Sequence, residues 1–364
     1  MRVVIAPDKF AGTLSAVEAA AAIAAGWRQR VPDAELIEIP LSDGGPGFVD
    51  VLHAALGGDL IAVTVNDPYG DPVPATILLV DGTAYLESAQ AVGLHLTESA
   101  DRRPLVGSSS GVGRLIRSAV AAGATRVLLG AGGTATNDGG AGLLAALGAT
   151  ADGAVLDQGP TGLRGLIAVD LDPARSLLDG IELVLASDVD TVLLGLLGAT
   201  KTYGPQKGLS DEELLVVDGL LQSFAELTDR KLAGQKGAGA AGGIGFALML
   251  LGARRVPGVE VVAEAVDLAG ALAGSDLVIT GEGAFDFSSR SGKVPYGVAQ
   301  AATAALVPCI ALAGQVLIGS REMRALGIEA AYSLVERVGE ERAFAAPAAA
   351  LAELAERVAR TWGR

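Results

Sequence analysis

The sequence predicts an α/β fold in two parts: a Rossmann-like three-layer domain assembled from residues 1–60 and 260–364, and an inserted second α/β domain with glycine-rich loops over residues 61–259. Three observations carry this. Strand and helix patterns alternate at both chain ends, consecutive strand patterns interrupt that alternation after residue 60, and 364 residues exceed the ordinary size of one core. Fifty glycines in an Ala/Val/Leu-rich, aromatic-poor chain suit close helix-on-sheet packing and many strand-end loops.

Val3 to Ala6 reads as a first buried strand, followed by an Ala-rich helix from Ala16 to about Arg30, a strand from Leu36 to Ile39 and a helix near Val49 to Leu56. That order implies parallel pairing. Ile61 to Val65, Ala75 to Val80 and Ala84 to Glu87 are then joined by the turn-rich Asn66 to Pro72 and by Asp81-Gly82, which predicts antiparallel hairpins. Toward the end, Leu277 to Thr280, Ile310 to Ala313 and Ala331 to Leu334 return as short buried strands, and Phe344 to Trp362 reads as one amphipathic helix. The uncharged run from Val294 to Ser320 is broken by Pro295, Gly297, Pro308 and Gly314, so it reads as a helix and a buried strand rather than a membrane span.

A formal charge of −15 works against nucleic acid or an anionic membrane as partner, because phosphate backbones demand surplus Lys and Arg. Any anionic ligand must meet local positive charge. The lone Cys309 excludes an internal disulfide framework and fits a reducing cytoplasm, most simply as a small buried apolar residue. Two histidines, His53 and His95, cannot build a multi-histidine metal centre. The N-terminus is interrupted by Pro7 and Asp8 too early for a secretory signal.

The segment Gly130 to Gly142 carries six glycines around Asn137-Asp138, between the strand pattern Arg126 to Leu129 and the helical Leu143 to Leu147. Glycines at such a junction let backbone N–H groups approach an anion; the alternative is a tight turn in which Asp138 caps the helix. Ser42-Asp43-Gly44-Gly45 shares the Asp-Gly-Gly core.

Familiar signatures fail on context. Gly237 to Gly242 matches a dinucleotide fingerprint but follows no strand, and Gly107 to Gly111 matches a nucleophile elbow with no histidine after it. Gly292-Lys293 lacks the rest of a P-loop. What remains is a set of polar loops at strand ends: Asp8-Lys9, Asp43, Ser187 to Asp190, Thr280 to Gly283, Asp286 and Ser291 to Lys293. Open α/β sheets bind ligands there. Carboxylates that hold Mg²⁺ or accept a proton, lysines that offset phosphate charge and glycine loops that expose N–H donors together suit phosphoryl transfer.

These blocks, in this order, resemble the type I glycerate kinase family of bacteria. The resemblance rests on Ala6 to Ser15, Leu41 to Gly45, Thr134 to Gly142, Ser187 to Asp190, Tyr203 to Gly208, Gly237 to Gly243, and Thr280 to Gly283 through Ser291 to Lys293. It implies two α/β domains with the active site in the cleft between them, ATP and Mg²⁺ as cofactors, and phosphorylation of D-glycerate, usually at the 2-hydroxyl. On that basis Asp188 and Asp190, a pair on one loop with no cation beside them in sequence, are expected to accept the hydroxyl proton or ligate Mg²⁺. Lys207 and Lys293 are expected to neutralise phosphate oxygens. Substrate is assigned to Asp8, Lys9, Asp43, Gly44, Gly45, Ser109, Arg114, Asn137 and Asp138, with Arg114 or Lys9 on the glycerate carboxylate. The nucleotide is assigned to Gly132, Gly133, Thr134, Thr136, Gly139, Gly140, Thr280, Glu282, Gly283, Asp286 and Gly292.

Six positions depart from the family pattern: Ala11 in place of lysine, Pro46 in place of glutamate, Thr191-Val192 in place of Asn-Pro, Arg114 in place of an acidic residue, and Ser288 in place of glutamine. Lys9, two residues before Ala11 on an extended segment, points to the same side. Kinases of other small hydroxy acids and a catalytically silent binding protein are the alternatives. The chain is expected to be a cytoplasmic monomer or homodimer.

Overall fold

The computed structural model describes residues 1–10, 12–286 and 293–363, and it is a mixed α/β structure with parallel sheets, the class expected from the sequence. The chain divides into two compact units. The first comprises Met1–Asp43, Asp50–Leu56 and Gly258–Arg364; the second comprises Gly44–Val49 and Gly57–Pro257.

The first unit is built on a five-stranded, all-parallel sheet in the order Ala330–Ser333, Cys309–Ala313, Leu277–Gly281, Arg2–Pro7, Glu35–Glu38. Its central strands are apolar on both faces, as parallel strands under helices must be: Val3, Ile5, Leu277, Ile279, Ile310 and Leu312 are all buried. Helix Ala16–Arg30 starts at a capping box in which Ser15 and Glu18 satisfy each other's backbone N–H groups. It packs closely along Pro347–Trp362, where a Cβ on Gly26 would collide with the backbone of Ala352. The expected single helix from Phe344 to Trp362 is two helices, Glu340–Ala345 and Pro347–Trp362. Pro347 pushes Ala346 out of helical geometry, to φ −142°, and begins the second helix where its missing N–H costs nothing. Cys309 lies buried in its strand, and burial raises its thiol pKa, as a structural cysteine requires.

The second unit carries a six-stranded sheet in the order Arg254–Val256, Glu182–Ala186, Arg126–Gly130, Thr83–Glu87, Pro72–Val80, Asp59–Asn66. The first three pairings are parallel and the last two antiparallel, so the hairpins stand where the turn residues place them. Helices Ser110–Ala121, Ala141–Leu147 and Ile244–Leu250 contribute Val112, Leu115, Leu143, Leu144 and Phe246 to one core. A short ladder, Thr150–Asp152 with Ala168–Asp170, was not anticipated, since three residues are too few for an alternating pattern. No described helix is long and apolar enough to cross a membrane.

Candidate active site

At the carboxyl edge of the first unit's sheet, two neighbouring strands end together. Pro7 pairs with Gly281, and Asp8 N–H donates to Gly281 O at 2.8 Å, so Asp8 and Glu282 emerge side by side. Leu41 N–H donates to Pro7 O at 2.9 Å and brings the Ser42-Asp43 loop to the same edge. Lys9 Nζ lies 3.4 Å from Asp43 and 3.8 Å from Asp8, and Lys293 Nζ lies 3.7 Å from Glu282. The structure thus assembles three carboxylates and two ammonium groups from four sequence blocks.

Asp8 is the most perturbed of them. Only 6% exposed, its carboxyl is moved by burial from an ordinary value of 3.8 to about 7, with Asp43 and Glu282 adding to the rise and Lys9 opposing it. A carboxylate poised near neutrality in a polar cluster is a candidate proton acceptor. Thr280, expected to meet the nucleotide, is instead fully buried and donates its hydroxyl to Ala6 O. Gly283 and Asp286 follow Glu282 on the same loop; Gly292, like Ala11 and Ser288, lies outside the described residues.

In the second unit, the loop Gly130 to Gly142 is tied down by Asp138. Its carboxylate is fully buried and accepts four hydrogen bonds, from Ser109 N–H (2.8 Å), Ser109 Oγ (2.8 Å), Gly140 N–H (3.0 Å) and Gly142 N–H (3.1 Å). Burial raises its pKa and these donors pull it back. Asp138 and Ser109, expected to bind substrate, are both buried and bonded to each other, and Asp138 accepts the Gly142 N–H at the start of helix Ala141–Leu147. The glycines are likewise consumed by packing. A Cβ on Gly130 or Gly132 would meet the backbone of Gly44 and Gly45, one on Gly140 would meet Ala247, and the N–H groups of Gly139 and Gly140 donate to Gly242 O and Asp138. The anion cradle expected of Gly139 and Gly140 is therefore closed, whereas Gly132 and Gly133 reach the surface. Pro46, in place of glutamate, packs over Gly133.

Lys207 enters this loop from behind. It is 3% exposed and donates Nζ–H to Thr136 O at 2.6 Å; burial lowers its pKa to about 7 against the pull of Asp138. Lys207, expected to neutralise phosphate, thus holds its Nζ inside the loop. Two atoms of the loop, Thr136 Oγ1 and Asn137 Oδ1, are buried and have no hydrogen-bond partner among the described residues, although Asn137 Nδ2–H donates to Thr200 Oγ1 at 3.0 Å. Thr134 is buried beside them. Since the folded pKa of Lys207 is depressed, the unfolded chain binds the extra proton between about pH 7 and pH 10, and stability rises with pH across that window. Lys207→Met should flatten that rise, as read from urea midpoints at stepped pH.

Asp190 is not the cation-free carboxylate that its loop suggests. Lys236 Nζ sits 2.7 Å from one oxygen and Arg255 2.8 Å from the other, and the pKa is lowered, chiefly by the Lys236 hydrogen bond. Both oxygens of Asp190, expected to ligate metal or accept a proton, are thus paired with cations. Asp188 is half-buried on the same loop. Among the described residues, no group of three or more His, Cys, Asp or Glu could hold a metal by itself. Mg²⁺ fits one carboxylate plus phosphate oxygens.

Arg114 is exposed on helix Ser110–Ala121 and lines a cavity of about 350 Å³ with Ser110, Arg117 and Asp157, which none of the other expected site residues lines. Sequence reasoning missed Lys236, Arg255 and Thr200, and also Glu87, a buried carboxylate that accepts from Gly47 N–H at 2.9 Å. Only Glu87 left a signal, as a charged residue closing an apolar strand.

A strand-edge cluster of carboxylates and lysines suits the chemistry of a phosphoryl-transfer enzyme. Residues 3–363 match the model of the glycerate kinase family. The chain is 42% identical over 349 residues to a glycerate kinase of Bacillus subtilis (strain 168), covering 92% of this chain and 90% of that protein. It is 40% identical to glycerate 2-kinase of Escherichia coli (strain K12), with coverage of 93% and 92%. A crystal structure described as glycerate kinase 2 from Salmonella typhimurium LT2 superposes with a TM-score of 0.83 at 38% identity, over 99% of this chain and 98% of that one. The chain belongs to the glycerate kinase family and is a kinase.

Proposed function

We propose that the protein transfers the γ-phosphoryl group of ATP to the 2-hydroxyl of D-glycerate, giving 2-phospho-D-glycerate and ADP. The observation that carries this reading is Asp8: a buried carboxylate near neutrality, at a sheet's carboxyl edge, with Lys9 beside it and the Glu282–Lys293 pair on the neighbouring strand end. Asp8 takes the hydroxyl proton as the oxygen–phosphorus bond forms and the bond to ADP breaks. Lys9 and Lys293 offset charge on the phosphate and carboxylate oxygens.

Asp188 would hold Mg²⁺ together with nucleotide phosphates; when bound, the ion draws charge from the phosphoryl oxygens. Asp188→Asn should lower kcat by about two orders of magnitude and raise the Mg²⁺ concentration needed for half-maximal rate, with an unchanged melting curve. Equal Mg²⁺ dependence in both proteins would remove Asp188 from this role. The departures at Pro46 and Thr191-Val192 favour, as a second reading, a neighbouring small hydroxy acid as acceptor. We place the enzyme in the cytoplasm, as a monomer or homodimer, on its single buried cysteine and its acidic charge.

An ATP-coupled assay over a panel of small hydroxy acids, with the product assigned by NMR, tests the proposal. The expected result is highest kcat/KM for D-glycerate and a 2-phosphorylated product. Turnover of another acid in preference selects the second reading, and no turnover with any acceptor overturns both.

A further inference from the structure

The first unit contains an apolar cavity that the charge cluster does not use. About 220 Å³ in volume, it is floored by Phe10 and walled by Leu334, Val335 and Phe344, with Gly283 and Gln315 along one edge. Phe10 is buried, whereas Phe344, which also lines the cavity, is 59% exposed. The glycine edge is rigid: Gly314 N–H donates to Glu282 O at 3.0 Å, Gln315 N–H to Gly283 O at 2.9 Å, and Val335 N–H to Gly314 O at 3.0 Å. No described residue bonds the side-chain amide of Gln315, which is half-buried.

The chain itself links this cavity to the cations. Phe10 directly follows Lys9, and Gly283 directly follows Glu282, the partner of Lys293. An apolar cavity with two lining residues, Phe10 and Gly283, each one residue from an ammonium-bearing pair has the polarity of a nucleotide, an aromatic base at one end and anionic phosphates at the other. The Gln315 amide presents a donor beside an acceptor, the pattern that matches the donor and acceptor edge of adenine. A second cavity of this unit, about 580 Å³, is lined by Glu38 and Asp267 and offers no aromatic ring.

We propose that the cavity under Phe344 seats the adenine ring of the nucleotide. The inference rests on the ATP-dependent reading above, and it goes further by giving the base a site in the first unit. Phe344 stacks on the ring, Val335 and Leu334 contact its edge, and Gln315 reads the amino group.

The test is calorimetric titration of the full chain, Phe344→Ala and Val335→Glu with two probes, ADP and inorganic tripolyphosphate. Phe344 is exposed and Val335 half-buried, so folding is checked by the melting curve. The expected result is an ADP Kd at least tenfold weaker in both variants, with tripolyphosphate binding unchanged. Gln315→Leu should narrow the preference for ADP over GDP. An ADP Kd equal in the parent and both variants overturns the base site. Failure of the parent to phosphorylate D-glycerate while ADP binding still responds to Phe344 would overturn the proposed reaction and leave the base site standing.

Discussion

Asp8→Asn should reduce kcat for phosphorylation by about a thousandfold, the middle of the range for loss of a positioned base. Asparagine keeps the shape and the oxygen that accepts Lys9 N–H at 2.7 Å, so the strand end is preserved. What disappears is the lone pair that takes the proton. The pH dependence separates this from structural damage. The carboxyl of Asp8 sits at about 7 in the folded chain against 3.8 ordinarily, so the deprotonated form, and with it the activity, is present above about pH 7 and lost as pH falls. Stability carries the opposite sign: the native state binds the proton more tightly, so stability declines as pH rises from about 4 to about 7. In Asp8→Asn the acidic limb of the rate profile and this decline should vanish together. A variant with near-parental kcat would refute the assignment.

Asp138→Ala should cost about 4 kcal/mol of unfolding free energy, as measured by urea denaturation. The substitution strands four donors that now converge on one carboxylate, from Ser109, Gly140 and Gly142, in a region with no solvent access. It also removes the charge that opposes the desolvation of Lys207, so Lys207 should titrate still lower. Loss of less than about 1 kcal/mol would contradict the view of Asp138 as the clamp of this loop.

The contrast between these two aspartates shows how far the chain could be read unaided. The place of Asp8, though assigned there to substrate and not to the proton, was readable because a buried parallel strand is a run of apolar residues, and the first polar group after Val3 to Ala6 and Pro7 must stand at its carboxyl end. The flanking strands and helix Ala16–Arg30, with its Ser15/Glu18 box, were readable for the same local reasons. Asn137-Asp138-Gly139-Gly140, by contrast, has one sequence for two roles, ligand loop or helix start. What decides is the packing of Ala247, Leu221 and Ser109 against it, all distant in sequence. The pairing of Asp190 was hidden likewise, since Lys236 lies 46 residues away and Arg255 further still, and loop sequence carries no record of such pairing. The number of Gly-Gly pairs overstated the anion cradle because a missing Cβ serves backbone contact as readily as ligand contact.

The central claim is that Asp8, tuned by its charged neighbours, accepts the proton in phosphoryl transfer, and paired rate profiles test it most directly. Lys9 lowers the Asp8 pKa and Asp43 raises it. The acidic limb of kcat against pH should therefore move upward in Lys9→Met and downward in Asp43→Asn, relative to a parent limb near 7. Limbs that coincide in all three proteins would contradict the account.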